Sequence, residues 1–537
     1  MARPSRSSTN VNGQGAQLAR SASWITWKMD PPAHLFETNE PPSDHDARIV
    51  RQIIAQQRER VSSLDGDIAR LQSRLRKLEK ERREMRERIE VNLTLVSPLR
   101  SLPVEVLEDV FWFAIPEPRE MSTLDFDRLA PWNVAQVCWR WRDVAQRFPG
   151  LWSTICVNLS DTPPTPALLV RQLELTANRP LHIYFSCVAS LNLGLKQLAI
   201  LVQHASRWEL ADLRILGAAH SDVQAVLKGV QGRMSRLRFL RLEVQSSVLY
   251  SQVSPYFRDS SGLRHLTLFD ANPGLRFPWK QLASLELTAS AETMLRILQQ
   301  CPNLMECRLR PLNLRDSLLT DKNMLVQLTH LRKFYSTDTR IFELLTLPAL
   351  THLFLPHDCT LLVNSLVQRS QCSLQHLYAF EGCSSSMIRG ILAQCPAITT
   401  LGMQLSSTWE LSDILHKLTF KGAFSRWIPG KSVLAPNLTT FGISLTGPLI
   451  EDAALEDIFE TVEARSENKL RVFGLFLSHS VAGDSSLERL LGRLELLKKR
   501  LYTHIEYEDG ANSRWAGGCV PALLDREGWR DPIVYLS

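Results

Sequence analysis

No stretch of the 537-residue chain stays apolar for the roughly 18–20 residues that a helix needs to cross a bilayer. A membrane span is therefore not expected. The ten cysteines contain no C-x-x-C pair, the spacing that zinc sites and redox centres use. Most lie in apolar-periodic segments, as Cys301, Cys307 and Cys395 do, and read as small buried hydrophobes. No H-E-x-x-H, G-x-S-x-G or G-x-G-x-x-G occurs, so metalloprotease, esterase and dinucleotide-binding readings have no anchor. Gly430-Lys431-Ser432 resembles the end of a phosphate-binding loop. The glycine that should open that loop falls at Ser425, so it reads as an ordinary loop. The thirteen histidines show no ligand spacing, and no metal, cofactor or catalytic residue is expected. Charge of one sign is also scarce: 62 Lys and Arg face 56 Asp and Glu, for a net +6. Residues 1–95 hold 17 of those cations against 13 of the acids, which is +4 of the excess. What remains is too little for a dedicated nucleic-acid surface. Met1 to Asn10 is rich in Arg and Ser and lacks the apolar core of a secretory signal, so a cytoplasmic or nuclear location is expected.

Residues 1–47 are Ser-, Pro- and Asn-rich apart from an apolar island at Trp24, Ile25 and Trp27, and read as a disordered tail. The pattern then changes. Over 48–92, Ile54, Val61, Ile68, Leu75 and Ile89 fall at heptad position a, and Val50, Leu64, Leu71, Leu78 and Met85 at position d. Only Gln57 and Arg82 are polar in this coiled-coil seam. Eight acids from Glu59 to Glu90 alternate with the arginines, which argues against an RNA-binding helix. A seam this narrow asks for a partner helix. Three readings stay open: a homodimer through 50–89, packing on another part of this chain, or a single solvated helix.

Residues 97–156 read as a small helical bundle. Pro103 suits the first turn of a helix, after which Leu102, Val106, Leu107, Val110 and Phe111 are expected on one helical face. Val134, Val137, Cys138, Trp141, Ala145 and Phe148 repeat the helical period, and Leu151 and Trp152 follow. The ordered set Leu102-Pro103-x-Glu105-Val106-Leu107-x-x-Val110-Phe111, Val137-Cys138-x-x-Trp141-Arg142-x-x-Ala145 and Pro149-x-Leu151-Trp152 resembles an F-box of the kind common in fungi. Two departures are the long connection from Pro116 to Pro131 and Trp139, which stands where a polar residue is expected. Trp139 is either an extra contact or part of a crowded core. The resemblance implies docking to the Skp-type adaptor of a cullin-based ubiquitin ligase. It implies adaptor-binding roles, as contact or core, for Leu102, Pro103, Val106, Leu107, Phe111, Val137, Trp141 and Trp152. It also implies a non-catalytic protein, because a recruited conjugating enzyme supplies the chemistry.

From 165 to 500 the frame apolar-x-x-apolar-x-apolar recurs. It is clean at Leu237, Leu263, Leu282 and Leu350, and weaker at Trp208, Leu304, Leu331, Leu374, Ile398, Leu438 and Leu470. The mean spacing of about 26 residues is that of leucine-rich repeats. Helical stretches intervene, two of them ending in Gln-Cys-Pro at Cys301 and Cys395. The 40-residue interval from Ile398 to Leu438 implies an insertion holding Trp409, Phe420, Phe424 and Trp427. Residues 501–537 carry no frame and read as a cap or a tail. The expected fold class is thus α/β: a leucine-rich-repeat solenoid preceded by a small helical F-box bundle and a long coiled-coil helix.

Side chains alternate along a strand, so the residues flanking the frame leucines face the open side of such a solenoid. These include Phe239, Arg241, His265, Phe269, Arg308, Arg310, Tyr335, Phe354, Tyr378 and Phe380, an aromatic and basic row that forms a candidate binding surface for a protein target. The alternative is that a tail or neighbouring helices cover some of them. At the whole-chain level the competing readings are a substrate receptor of an SCF-type ligase and a ligase-independent scaffold built from the same modules.

Overall fold

The structure, a computed structural model, describes residues 31, 35, 40–115, 131–159, 165–187, 191–216, 220–311, 325–357, 359–380, 382–405, 408–419, 434–445, 452–477, 492, 493, 496 and 501–507. The Trp24 island, Pro116 to Ala130, Gly430-Lys431-Ser432, Phe420, Phe424, Trp427 and the end of the chain from residue 508 lie outside them. Two units divide the chain at Pro103 and Val104.

In the first unit, helix α1 runs Asp44–Leu95, 52 residues, about 78 Å at 1.5 Å per residue. Ser43 caps it, its Oγ accepting from the amide of Asp46 at 3.2 Å. Asp44 and Asp46 stand in the first turn, where the helix dipole favours anions. None of its residues is buried. Among the described residues no helix is long and apolar enough to cross a membrane.

Among the described residues the second unit begins with four short helices: α2 (Val104–Phe113), α3 (Trp132–Val137), α4 (Trp139–Arg147) and α5 (Pro149–Trp152). Strands then alternate with helices and turns. They are β1 (Thr154–Asn158), β2 (Leu181–Cys187), β3 (Trp208–Ile215), β4 (Phe239–Val244), β5 (His265–Ala271), β6 (Ser284–Ala289) and β7 (Glu306–Pro311). There follow β8 (Val326–Gln327), β9 (Lys333–Ser336), β10 (Leu345–Thr346), β11 (His352–Leu355) and β12 (His376–Ala379). The last are β13 (Thr400–Leu405), β14 (Thr440–Leu445), β15 (Val472–Leu477) and β16 (Tyr502–Tyr507). Fourteen of them form one sheet in chain order, leaving out only the separate pair β8 and β10. Every pairing is parallel. The α/β leucine-rich-repeat-like solenoid expected from the sequence is the architecture observed.

All eleven frames fall on strands, and in ten of them the strand starts two residues after the first frame leucine, as Leu237 precedes β4 at Phe239. The reason is burial. Leu237, Leu240 and Leu242 are each fully inaccessible and join one core that runs the length of the sheet. Burying each such side chain contributes about 1.5–3 kcal/mol. Neighbouring turns are tied by a recurring pair of hydrogen bonds. The carbonyl of Arg264 accepts from the amides of Ala283 and Ser284, that of Ala283 from Met305 and Glu306, and that of Met305 from Arg332 and Lys333, all at 2.8–3.0 Å. Serines start several of the intervening helices: Ser246, Ser290 and Ser384 each accept from the amide three residues on. The sheet also extends past the frames at both ends, to β1 and β2 before them and to β16 after them.

Candidate docking surfaces

The helical bundle of the second unit explains each element of its motif. Cys138 sits between α3 and α4 in extended conformation, and its Sγ accepts from the amide of Trp141 at 3.4 Å. It is therefore the cap of α4. Arg142 Nε donates to the carbonyl of Ala135 at 3.0 Å, closing α4 on α3. Trp152 is buried, donates from Nε1 to the carbonyl of Ala145 at 2.7 Å and meets Trp132 edge-on with ring centroids 4.9 Å apart. Phe111 and Trp141 pack with centroids 5.0 Å apart.

The α2 residues expected on one face are divided by the structure. Leu107 and Phe111 are fully buried, whereas Val106 and Val110 are exposed. Val106, Val110 and Phe113 are spaced i, i+4, i+7 and form a stripe about 100° around the helix from the buried pair. Phe113 is 86% exposed. Val137 at the end of α3 is 60% exposed and Trp139 at the start of α4 is 75% exposed. A crowded core is thus ruled out for Trp139.

Residues 99–158 match the F-box-like family. No curated protein matches the chain. The F-box-like match ends at Asn158, the last residue of β1, so it takes in the first strand of the sheet. One side chain ties the end of the F-box-like segment to the start of that sheet. Gln172, buried in helix α6 (Pro166–Leu175), donates from Nε2 to the carbonyls of Trp152 at 3.2 Å and Thr154 at 3.0 Å. Of the residues to which the resemblance assigns adaptor binding, Leu107, Phe111 and Trp152 are core, Trp141 and Leu102 are half-buried, and Pro103, Val106 and Val137 are exposed. Val110, Trp112, Phe113 and Trp139 are exposed apolar residues that were not among those assigned to adaptor binding. The i, i+4, i+7 spacing on α2 is the signal that finds two of them.

On the sheet, strand register aligns one residue per strand into a continuous row: Asp212, Arg241, Thr267, Glu286, Arg308, Tyr335, Phe354, Tyr378, Gly402, Gly442 and Gly474. Charged residues occupy the first part, aromatics the middle and glycines the last. Burial holds the Asp212 carboxyl above the usual aspartate range, while Arg241 and Arg214 draw it back down. Arg241 lies 3.7 Å from Asp212 and 5.0 Å over the ring of Phe269. Glu286 is 3.7 Å from both Arg308 and Arg310. Phe239, Phe269 and Phe380 are half-buried, His265 is exposed, and the Arg310 side chain keeps 23% of its surface. By contrast the Arg308 side chain is 6% exposed, Tyr335 9%, Phe354 1% and Tyr378 0%. The candidate target-binding residues therefore form two groups, one accessible and one enclosed.

Beside the first group, at the N-terminal ends of β3 to β5, lies a cleft of about 710 Å³ lined by Arg236, Arg238, Arg264, His265 and Glu209. Arg238 pairs with Glu209 at 3.4 Å. The cleft adjoins Phe239 and His265, whose rings stack with centroids 6.3 Å apart. Among the described residues no cluster of three or more His, Cys, Asp or Glu could hold a metal ion.

Proposed function

We propose that the protein is the substrate-receptor subunit of a cullin-based ubiquitin ligase. The observation that carries this is the F-box-like match at 99–158 on a bundle that presents Val106, Val110, Phe113, Val137 and Trp139 as exposed apolar side chains. That surface docks a Skp-type adaptor. The sheet selects a protein target, through Phe239, Arg241, His265, Phe269, Arg310 and Phe380 with the arginine-lined cleft beside them. Tyr335, Phe354, Tyr378 and Arg308 shape that surface from beneath. The protein's own contribution to ubiquitin transfer is geometric: it holds the target near a recruited conjugating enzyme, which raises the effective concentration of one for the other.

The test is affinity purification of the full chain with the proteasome blocked, probed for adaptor and cullin. Recovery of both, together with a client that accumulates under the block, supports the reading. Adaptor without cullin indicates a ligase-independent scaffold. Absence of the adaptor overturns the docking assignment.

A further inference from the structure

The heptad seam of α1 stands in the structure as a helix with no buried residue, its apolar a and d side chains 40% or more exposed from Ile54 to Ile89. Two independent features of the sequence say what covers it. The first is side-chain shape. Position a carries Ile54, Val61, Ile68 and Ile89 beside one leucine, Leu75, and position d carries Leu64, Leu71 and Leu78. In a parallel coiled coil, β-branched residues at a with leucine at d favour two strands over three or four.

The second feature is charge at the flanking e and g positions. In a parallel, in-register pair, residue g of one helix faces residue e of the next heptad of the other. That rule brings Arg60 to Asp65, Arg74 to Glu79 and Glu81 to Arg86. Each contact is an opposite-charge pair and each occurs twice by symmetry. The remaining facings, Ile53 to Arg58, Asp67 to Gln72 and Arg88 to Leu93, carry no like-charge clash. Ion pairs within the helix, Asp67 with Arg70 and Lys80 with Glu84, involve none of those six residues. In an antiparallel pair centred on the same seam, e faces e and g faces g. It gains Arg58 to Glu79, Arg60 to Glu81 and Asp67 to Arg74, but sets Arg51 against Arg86 at both ends. The parallel pair has one like-charge facing, Arg82 on its own counterpart at position a, against the two Arg51–Arg86 facings of the antiparallel pair, and that count favours the parallel arrangement.

We infer that α1 is one strand of a parallel, in-register, two-stranded coiled coil with a second copy of this chain. Arg82, the charged residue at position a, faces its own counterpart across the seam, a like-charge contact that Glu81 at the adjoining g position of each helix offsets. Gln57, the polar residue at position d, faces its own counterpart, and such polar positions fix register at a cost in stability. The dimer places two copies of the receptor in one particle with their N-terminal helices running the same way. This inference goes beyond the proposed ligase role and does not depend on it.

The experiment is a charge swap on the full chain, read as mass by light scattering. The unaltered protein is expected at twice 61.0 kDa. One variant carries Glu79→Arg and Glu81→Arg, the other Arg74→Glu and Arg86→Glu. Each variant alone faces like charges across the seam and is expected at the monomer mass. Mixed in equal amounts, the two recover opposite charges at every altered contact of a parallel pair and are expected at the dimer mass. An antiparallel pairing recovers only half of them, since Glu79→Arg in one chain then faces Arg58 of the other. It would also leave the second variant dimeric alone, because Arg86→Glu removes the clash with Arg51. Wild-type protein at monomer mass, variants that stay dimeric alone, or a mixture that stays monomeric would each overturn the inference. Circular dichroism of each variant shows whether the helix has been kept.

Discussion

Phe354 and Tyr378 lie face to face on neighbouring strands, ring centroids 4.5 Å apart and planes 10° from parallel. Tyr335 and Phe380 flank them edge-on to one another, with centroids 6.3 Å apart. These four aromatics form a cluster separate from the leucine core on the helical side of the sheet. Their enclosure turns a row that alternation alone places in solvent into a second, smaller core.

That cluster contributes stability. Tyr378→Ala is expected to destabilise the fold by about 3–5 kcal/mol, the usual cost of removing a large buried aromatic. Chemical unfolding of the purified protein measures this. An unchanged midpoint would mean that the ring is dispensable to the fold and free for a ligand.

In the F-box-like segment, core and surface substitutions should separate. Leu107→Ala removes a fully buried side chain and is expected to cost about 2–5 kcal/mol. It would lose the adaptor through unfolding. Val137→Arg with Trp139→Ala alters two exposed side chains, and is expected to shift stability by no more than about 0.5 kcal/mol while abolishing adaptor copurification. Retained adaptor binding in that double variant would place the contact elsewhere on the bundle.

Stability should fall as the medium is acidified. Burial, reinforced by Arg207 and Arg233, holds the His204 imidazole below the ordinary histidine value. Partial desolvation also lowers His265, although its surface is largely accessible, with Glu306 opposing. For a histidine so depressed, the unfolded chain takes the proton first. The stability present above the unfolded value, about 6.5, is therefore lost as pH drops through it toward the lower folded value. Urea midpoints at about pH 7.5 and about pH 5.5 should differ, and His204→Gln should narrow the difference. An equal drop in both proteins would remove His204 from the account.

The repeats were legible because their cause is local. A strand that packs leucines on a helix needs them at fixed spacing, and Leu237, Leu240 and Leu242 show that spacing within six residues. β2 escaped the same search although its burial alternates strictly from Leu181 to Cys187. Its apolar residues follow the period of two, with no leading residue and two-residue gap. β1 was hidden inside the F-box resemblance, and β16 has no frame leucine at all. In the F-box-like segment, the family motif mixes buried and exposed residues because Leu107 and Val106 are both apolar and adjacent, so only burial tells them apart. The enclosure of Tyr378 depends on Phe354, 24 positions earlier, and no single stretch of sequence contains that relationship.

The two hydrogen bonds from Gln172 carry a mechanical implication. Trp152 and Thr154 belong to the end of the bundle and the start of the sheet, and one side chain grips both. These bonds tie the end of the bundle to the first strand, so a pull on the bundle's end is shared with that strand. If the sheet holds a target, as proposed, the same side chain couples that load to the bundle.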